Sequence, residues 1–276
     1  MKALLTVCLL LISTALLASG QEKTVGRGQK TIGSGQKTVG SEEWAVGRTE
    51  RRIGHASLTR AQIREVERRL SEMGYWTGAV DGVFDPATRS ALLAFQKWEG
   101  RAITGRLTLD EVEATRNGAT PKPREAGYAH VEVDIDRQVL LVVSDDGGVR
   151  VLPVSTGNDQ PFMDEGKESI AHTPRGRFLV YDKVIGWEQG PFRAMYYSNY
   201  ISGGVAIHGY HSVPNQPASH GCIRIPNFAA REVSRRMPIG TIVLVYDKVS
   251  FVSGKPWAND PKLKQAILDW NRAVGN

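Results

Sequence analysis

The stretch AHVEVDIDRQVLLVVSDDGGVRVLPV, residues 129–154, decides the fold class. Val131, Val133 and Ile135 alternate with Glu132 and Asp134, the period of two expected of a strand with one apolar face. Val139 to Val143 is an unbroken apolar strand, and Val149 to Val154 is a shorter one. Asp145-Asp-Gly-Gly148 between them carries hairpin-type turn chemistry. Further along, Phe178, Val180 and Asp182 alternate, and Gly204 to His208 and Thr241 to Tyr246 add two more strand signals. Helical signal beyond residue 128 is limited to a segment after Pro226 and to the tail from Pro261 to Val274. Residues 128–247 therefore predict a mainly β domain, a sandwich or open barrel.

Upstream the period changes. Thr59-Arg-Ala-Gln62 has capping-box form, and Ile63, Val66, Leu70 and Met73 follow at helical spacing. Gly74-Tyr75 stops that helix, and Gly78 and Asp81-Gly82 supply turns. Asp85-Pro86 offers an N-cap and a first-turn proline to a second helix, with Leu92 and Phe95 facing inward. A third short helix begins near Thr108, with Leu109 and Val112 as its apolar contacts. Residues 57–116 thus predict a small all-α, three-helix domain, and Thr120-Pro-Lys-Pro123 marks the 117–127 segment as a linker to the β domain. The chain is multidomain.

The two ends read differently again. Met1-Lys2, an apolar run from Ala3 to Ala18 and the small residues Ser19-Gly20 form a signal-peptide pattern over residues 1–20, shorter than a membrane span prefers. Residues 21–56 contain a repeat of about seven residues, Glu22 to Gly28, Gln29 to Gly35 and Gln36 to Glu42. Two glycines in most units oppose helix, and one apolar residue per unit cannot build a core, so this segment predicts a basic, Gly-rich linker. Residues 248–276 place Trp257, Leu263, Ile267 and Trp270 at intervals suited to a helix packed on the β domain. The net charge of +6 favours an acidic partner without choosing among nucleic acid, anionic membrane and anionic wall polymer.

Export makes cysteine usage informative. Cys8 lies in the signal and leaves with it, so the mature chain keeps only Cys222, which has no internal disulfide partner. A thiol retained outside the cell is a candidate for chemistry, and it attacks carbonyls as its thiolate, so it needs a base. Three histidines lie close in sequence: His208, His211 and His220. His208 ends the apolar strand Gly204-Val205-Ala206-Ile207, and the Gly209 carbonyl is placed to orient its second ring nitrogen. His220 is only two residues from Cys222 and is constrained by the intervening turn. Gly221 permits a tight turn that aims the N–H groups of Gly221 and Cys222 at a developing oxyanion. Arg224 shares the face of Cys222 if this segment is a strand, where it suits a substrate carboxylate. The same His208, His211, His220 and Cys222 also contain enough ligand types for zinc, without a nearby carboxylate to act as acid or base.

Two resemblances follow from these residues. The order Gly74-Tyr75, Asp81-Gly82-Val83-Phe84, Thr88 and Phe95-Gln96 resembles the peptidoglycan-binding domain-1 family, which implies wall binding by residues 57–116. Ile207-His208-Gly209 followed by Ser219-His220-Gly221-Cys222-Ile223-Arg224-Ile225 resembles the active-site signature of the L,D-transpeptidases, the YkuD-type catalytic domain. Pro153-Val-Ser-Thr-Gly157 and Thr173-Pro-Arg-Gly176-Arg-Phe178 agree with it in order.

That family implies a β-sandwich-like domain in which Cys222 is acylated by a tetrapeptide stem, releasing D-alanine, and passes the acyl group to a neighbouring stem amine in a 3→3 cross-link. It implies His208 as base, Gly209 as its orienting carbonyl, Gly221 and Cys222 as oxyanion donors, and Ser219 and His220 in the substrate site. Tyr197, in the aromatic segment from Trp187 to Tyr200, is expected to wall the cleft. It further implies an exported, extracytoplasmic enzyme with peptidoglycan as partner, carbapenem-type β-lactams as covalent inhibitors, and neither cofactor nor nucleic acid. Only ten residues separate His208 from Ser219, fewer than is usual for the family, so His211 in a shifted register is an alternative base. Water or a protein amine as acceptor would make an L,D-carboxypeptidase or an attachment enzyme. A zinc-dependent wall hydrolase and a non-catalytic wall-binding protein are the alternatives from other classes.

Overall fold

The computed structural model describes residues 58–164, 166–190 and 193–250. The expected signal peptide, the repeat linker and the tail helix lie outside the described residues.

Three helices come first: α1 Arg60–Glu72, α2 Pro86–Trp98 and α3 Leu109–Asn117. Each begins where a side chain can satisfy the open N–H groups of the first turn. Thr59 and Gln62 form the reciprocal capping box, Asp85 Oδ1 accepts from Thr88 N at 2.7 Å ahead of Pro86, and Thr108 Oγ1 accepts from Glu111 N. Val66, Leu70, Met73, Leu92, Phe95 and Val112 are buried between the helices.

The β region contains β1 His130–Asp134, β2 Val139–Val143, β3 Val149–Pro153, β4 Pro161–Asp164, β5 Lys167–Ile170, β6 Gly176–Leu179, β7 Asp182–Lys183, β8 Trp187–Gly190, β9 Arg193–Ser202, β10 Val205–Tyr210, β11 Ile223–Pro226 and β12 Ile242–Tyr246, with α4 Asn227–Arg235 after β11. One sheet runs β3-β2-β1-β12-β6, parallel only between β1 and β12. The second runs β11-β10-β9-β7, with β8 also on β9, and is parallel between β10 and β11. β4 and β5 form a separate hairpin. The two sheets enclose one core, in which Val131, Val133, Leu140, Val142 and Leu152 meet Ile207, Ile223 and Ile225. From α4, Ala229, Ala230 and Val233 complete it. Fully burying a side chain of this size stabilises the fold by about 1.5–3 kcal/mol.

The unbroken apolar run of β2 has a tertiary cause. Leu140 and Val142 face the second sheet, while Val139, Leu141 and Val143, with Val149 and Val151 of β3, pack against Val66, Leu70, Tyr75 and Phe95 of the helical region. Both faces of this sheet are thus covered. The helical region is joined to its edge by backbone as well: Val151 N donates to Gly74 O at 2.9 Å, and Trp76 N to Val151 O at 3.2 Å. Lys97 of α2, 4% exposed, donates to the carbonyls of Val154 and Gln138.

Two expectations change. Glu132 and Asp134 were expected on a polar face of β1, yet both are buried, and Glu132 is 0% exposed. Glu132 accepts from Arg124 N, Glu125 N and the Tyr246 hydroxyl, so its carboxylate pins the segment entering β1. The stretch from Trp187 onward is the β8–β9 hairpin, and β9 at 10 residues is the longest strand among those described.

Candidate active site

The parallel pairing of β10 with β11 sets the site. Its register opposes His208 to Arg224 and Ile207 to Ile223. Side chains alternate along a strand, so Cys222, immediately before β11, shares a face with Arg224 and hence with His208. All three line one cleft of about 480 Å³, together with Ser219, His220, Gly221, Glu188 and Tyr200.

His208 is buried, and its Nδ1 lies 2.9 Å from the Gly209 carbonyl. A carbonyl can only accept, which assigns the proton to Nδ1 and leaves the Nε2 lone pair as the basic one. Burial lowers the His208 pKa to about 4; the Gly209 carbonyl opposes the shift, and the Arg224 cation adds to it. The imidazole is therefore neutral at neutral pH. Burial likewise raises the Cys222 thiol above its ordinary value, while the Ala206 backbone N–H and Arg224 pull it back. The pair is a neutral thiol and a neutral imidazole, not a preformed ion pair. Such a thiol needs proton removal at the moment of attack.

Gly209 has a second duty. A Cβ there would lie 2.6 Å from Ala230 Cβ and 3.1 Å from the Tyr196 carbonyl, so only glycine lets α4 and β9 close on the strand carrying His208. Gly221 has φ +136°, and a Cβ would lie 2.8 Å from the His172 carbonyl. Glycine is required there on both counts.

The loop before Cys222 is braced from several sides. Ser219 Oγ donates to the Cys222 carbonyl at 2.5 Å and accepts from Gly221 N at 3.1 Å. Thr173 Oγ1 donates to the Gly221 carbonyl at 2.7 Å and accepts from Gly157 N at 2.9 Å. The Thr156 carbonyl accepts from both Ala218 N and Ser219 N, and the Gln138 side chain holds Thr156 in turn.

The geometry places several of the expected site residues as follows. Gly221 N–H is engaged by Ser219 Oγ, so of the two expected oxyanion donors it is not the open one. Ser219 lines the cleft but is 3% exposed with its hydroxyl directed at the loop backbone, a brace more than a substrate contact. Tyr197 is absent from the cleft lining: it packs with Tyr196 on the core between the sheets. The cause is a bulge opposite His208, where the β9–β10 register shifts and Tyr197 takes φ +52°. His211 is exposed, stacks on Tyr210 and lines a different cavity, of about 690 Å³.

His220 does line the cleft, with its ring 4.6 Å from that of Phe162. Arg224 donates to the Ala218 carbonyl at 3.1 Å, and its guanidinium lies 4.4 Å over the Tyr210 ring. Among the described residues no group of three or more His, Cys, Asp and Glu side chains could hold a metal ion. Thr156, Thr173, Gln138 and Glu188 were not singled out as site residues. The only trace of the first two was their place inside matching segments.

Comparisons with known proteins agree in both halves of the chain. Residues 128–245 match the YkuD model, described as an L,D-transpeptidase catalytic domain, and residues 59–114 match a peptidoglycan-binding domain model. A crystal structure of the L,D-transpeptidase of Xylanimonas cellulosilytica is similar at 38% identity and TM-score 0.64, covering 67% of this chain and 93% of that one. An L,D-transpeptidase structure from Stackebrandtia nassauensis is similar at 20% identity and TM-score 0.40, covering 70% and 91%. No curated relative matches the chain.

Proposed function

The chain belongs to the L,D-transpeptidase family, with a peptidoglycan-binding domain ahead of the catalytic domain, and from that premise we propose that it forms 3→3 cross-links through an acyl-Cys222 intermediate. The observation that carries the reading is the β10–β11 pairing, which brings a buried neutral imidazole and a lone thiol into one cleft.

In this mechanism His208 Nε2 takes the Cys222 proton as Sγ attacks the carbonyl of the third residue of a tetrapeptide stem. The oxyanion is met by the Cys222 N–H. Collapse breaks the bond to D-alanine, whose amine takes the proton back from His208, and leaves a thioester. A stem amine then attacks the thioester, giving up a proton to His208, and the new amide leaves with the Cys222 thiol restored. Arg224 stabilises negative charge in the cleft and suits a stem carboxylate. The helical domain holds the wall polymer close, and the work takes place outside the cytoplasmic membrane.

The test is incubation with purified peptidoglycan followed by mass analysis of its fragments. D-alanine release with 3→3 dimers is expected from the parent protein and neither from Cys222→Ala. Dimer-free hydrolysis would make it a carboxypeptidase, and no D-alanine release at all would sink the reading. A carbapenem is expected to leave a mass adduct on the parent protein that Cys222→Ala lacks.

A further inference from the structure

Two carboxylates that the mechanism leaves without a task line the cleft, Asp164 and Glu188, and of these Glu188 has an oxygen buried without a donor. Glu188, on β8, lines the cleft with no basic partner among the described residues: Oε1 accepts from the Tyr200 hydroxyl at 2.8 Å, and Oε2 is buried with no hydrogen-bond donor among them. A carboxylate oxygen accepts two hydrogen bonds readily, and a buried one left with none is a cost that native folds seldom carry without a reason. The Tyr200 contact fixes the carboxylate, so it cannot swing out to water without breaking that bond. Glu188 also acts on both reacting groups, raising the pKa of His208 and of Cys222, so its charge is felt where the chemistry occurs. Arg224, the cation of the same cleft, is directed at the Ala218 carbonyl and the Tyr210 ring.

We infer that Glu188 is the docking point for a primary ammonium group of a stem peptide, which donates to Oε2. An ammonium is the complement that satisfies both the charge and the missing donor, since charge-assisted N–H bonds to carboxylates are the strongest available. Water would satisfy the acceptor but not the charge. The inference rests on the transpeptidase reading and deepens it: a cleft holding an unpaired carboxylate beside the thiol is built to concentrate amines, and so to favour aminolysis of the thioester over hydrolysis. The ammonium belongs either to the side chain of the donor's third residue or to the attacking acceptor; bound as the cation, an acceptor must lose a proton before attack, and His208 Nε2 is the base at hand.

Glu188→Gln keeps the shape and the Tyr200 contact while removing the charge, and Glu188→Asp keeps the charge on a shorter arm. Two rates are read with tetrapeptide stems, free or N-acetylated at the side-chain amine: D-alanine release, and the ratio of dimer to hydrolysed tripeptide. If the ammonium is the acceptor's, Glu188→Gln lowers the dimer ratio at least 10-fold whatever its effect on D-alanine release, which is alike for free and acetylated stems, with Glu188→Asp between. If it is the donor's, D-alanine release from the free stem falls at least 10-fold, and acetylated stems react alike with both proteins. Equilibrium binding of free and acetylated tripeptide reads the same subsite without turnover, so a failure of the transpeptidase reading remains distinct. Equal binding and equal rates in Glu188→Gln, or equal losses on free and acetylated stems with the dimer ratio unchanged, overturn the inference.

Discussion

Two cavities meet at Tyr210, and a histidine three residues from its neighbour serves each. On one side His208 is buried, oriented by the Gly209 carbonyl and depressed in pKa, in a cleft that also holds Cys222, Arg224 and Glu188. On the other, His211 is exposed and lines a groove between α2 and the catalytic sheet, with Phe84, Arg89 and Phe228 for company. The side-chain chemistry is identical. What differs is strand geometry: His208 lies within β10 opposite Arg224, while His211 lies just past its end, and only the former is dehydrated and held in one tautomer. A base is made by its surroundings more than by its sequence neighbourhood.

That contrast can be broken in steps. Cys222→Ala is expected to abolish D-alanine release, a loss of at least about 10³-fold, because no other thiol lines the cleft. Turnover should fall at least about 10²-fold in His208→Ala, the scale of a lost general base, and stay within about 2-fold in His211→Ala. The reverse order would move the base to the groove side. The pH dependence sharpens the same point. His208 is a base whose pKa is lowered, so its basic form is present above about pH 4 and is lost as pH falls through that value in the free enzyme. kcat/KM should therefore persist well below the ordinary histidine range.

Alkylation of Cys222 by iodoacetamide should keep rising beyond the ordinary thiol range of about pH 8.5, because burial raises that thiol. A plateau below pH 7 would mean a preformed thiolate–imidazolium pair and would contradict the neutral pair. The smallest effect on chemistry is expected from Leu141→Ala, under the helical domain. It should cost roughly 2–5 kcal/mol of stability by denaturant titration, as a buried cavity does, yet leave kcat/KM of the folded protein within about 3-fold. A larger loss of activity would show that the packing of the helices tunes the cleft.

Much of this was legible from local chemistry. The capping box at Thr59-Gln62, the Asp85-Pro86 start of α2 and the hairpin at Asp145 to Gly148 are short-range patterns whose physics does not depend on the rest of the fold. The grouping of His208, Gly209, Gly221, Cys222 and Arg224 was legible too, because two adjacent strand ends carry them all. β9 was not, since its bulge at Tyr197 and its aromatic, polar composition break the alternation that announces a strand. Glu132 was misread for a related reason: a charged residue at an alternating position signals a solvent face unless something distant, here Tyr246 and the backbone at 124–125, comes to satisfy it.

The sequence by itself determined the types of α1, α2 and α3 and of β1, β2, β3, β10 and β12, the lone thiol of the catalytic region and the short list of groups able to activate it, because these depend on residue chemistry and on periods of two and 3.6. Tertiary structure alone decided that His208 and His220 share a cavity with Cys222 while His211 does not, that Ser219 engages Gly221 N–H, that Tyr197 turns to the core, and that Glu188 stands in the cleft of the thiol with no basic partner among the described residues. It also decided that the unbroken apolar run of β2 serves two cores at once. Each of those depends on burial and on contacts between strands far apart in the chain, and burial is what turns an ordinary imidazole, thiol or carboxylate into one with a task.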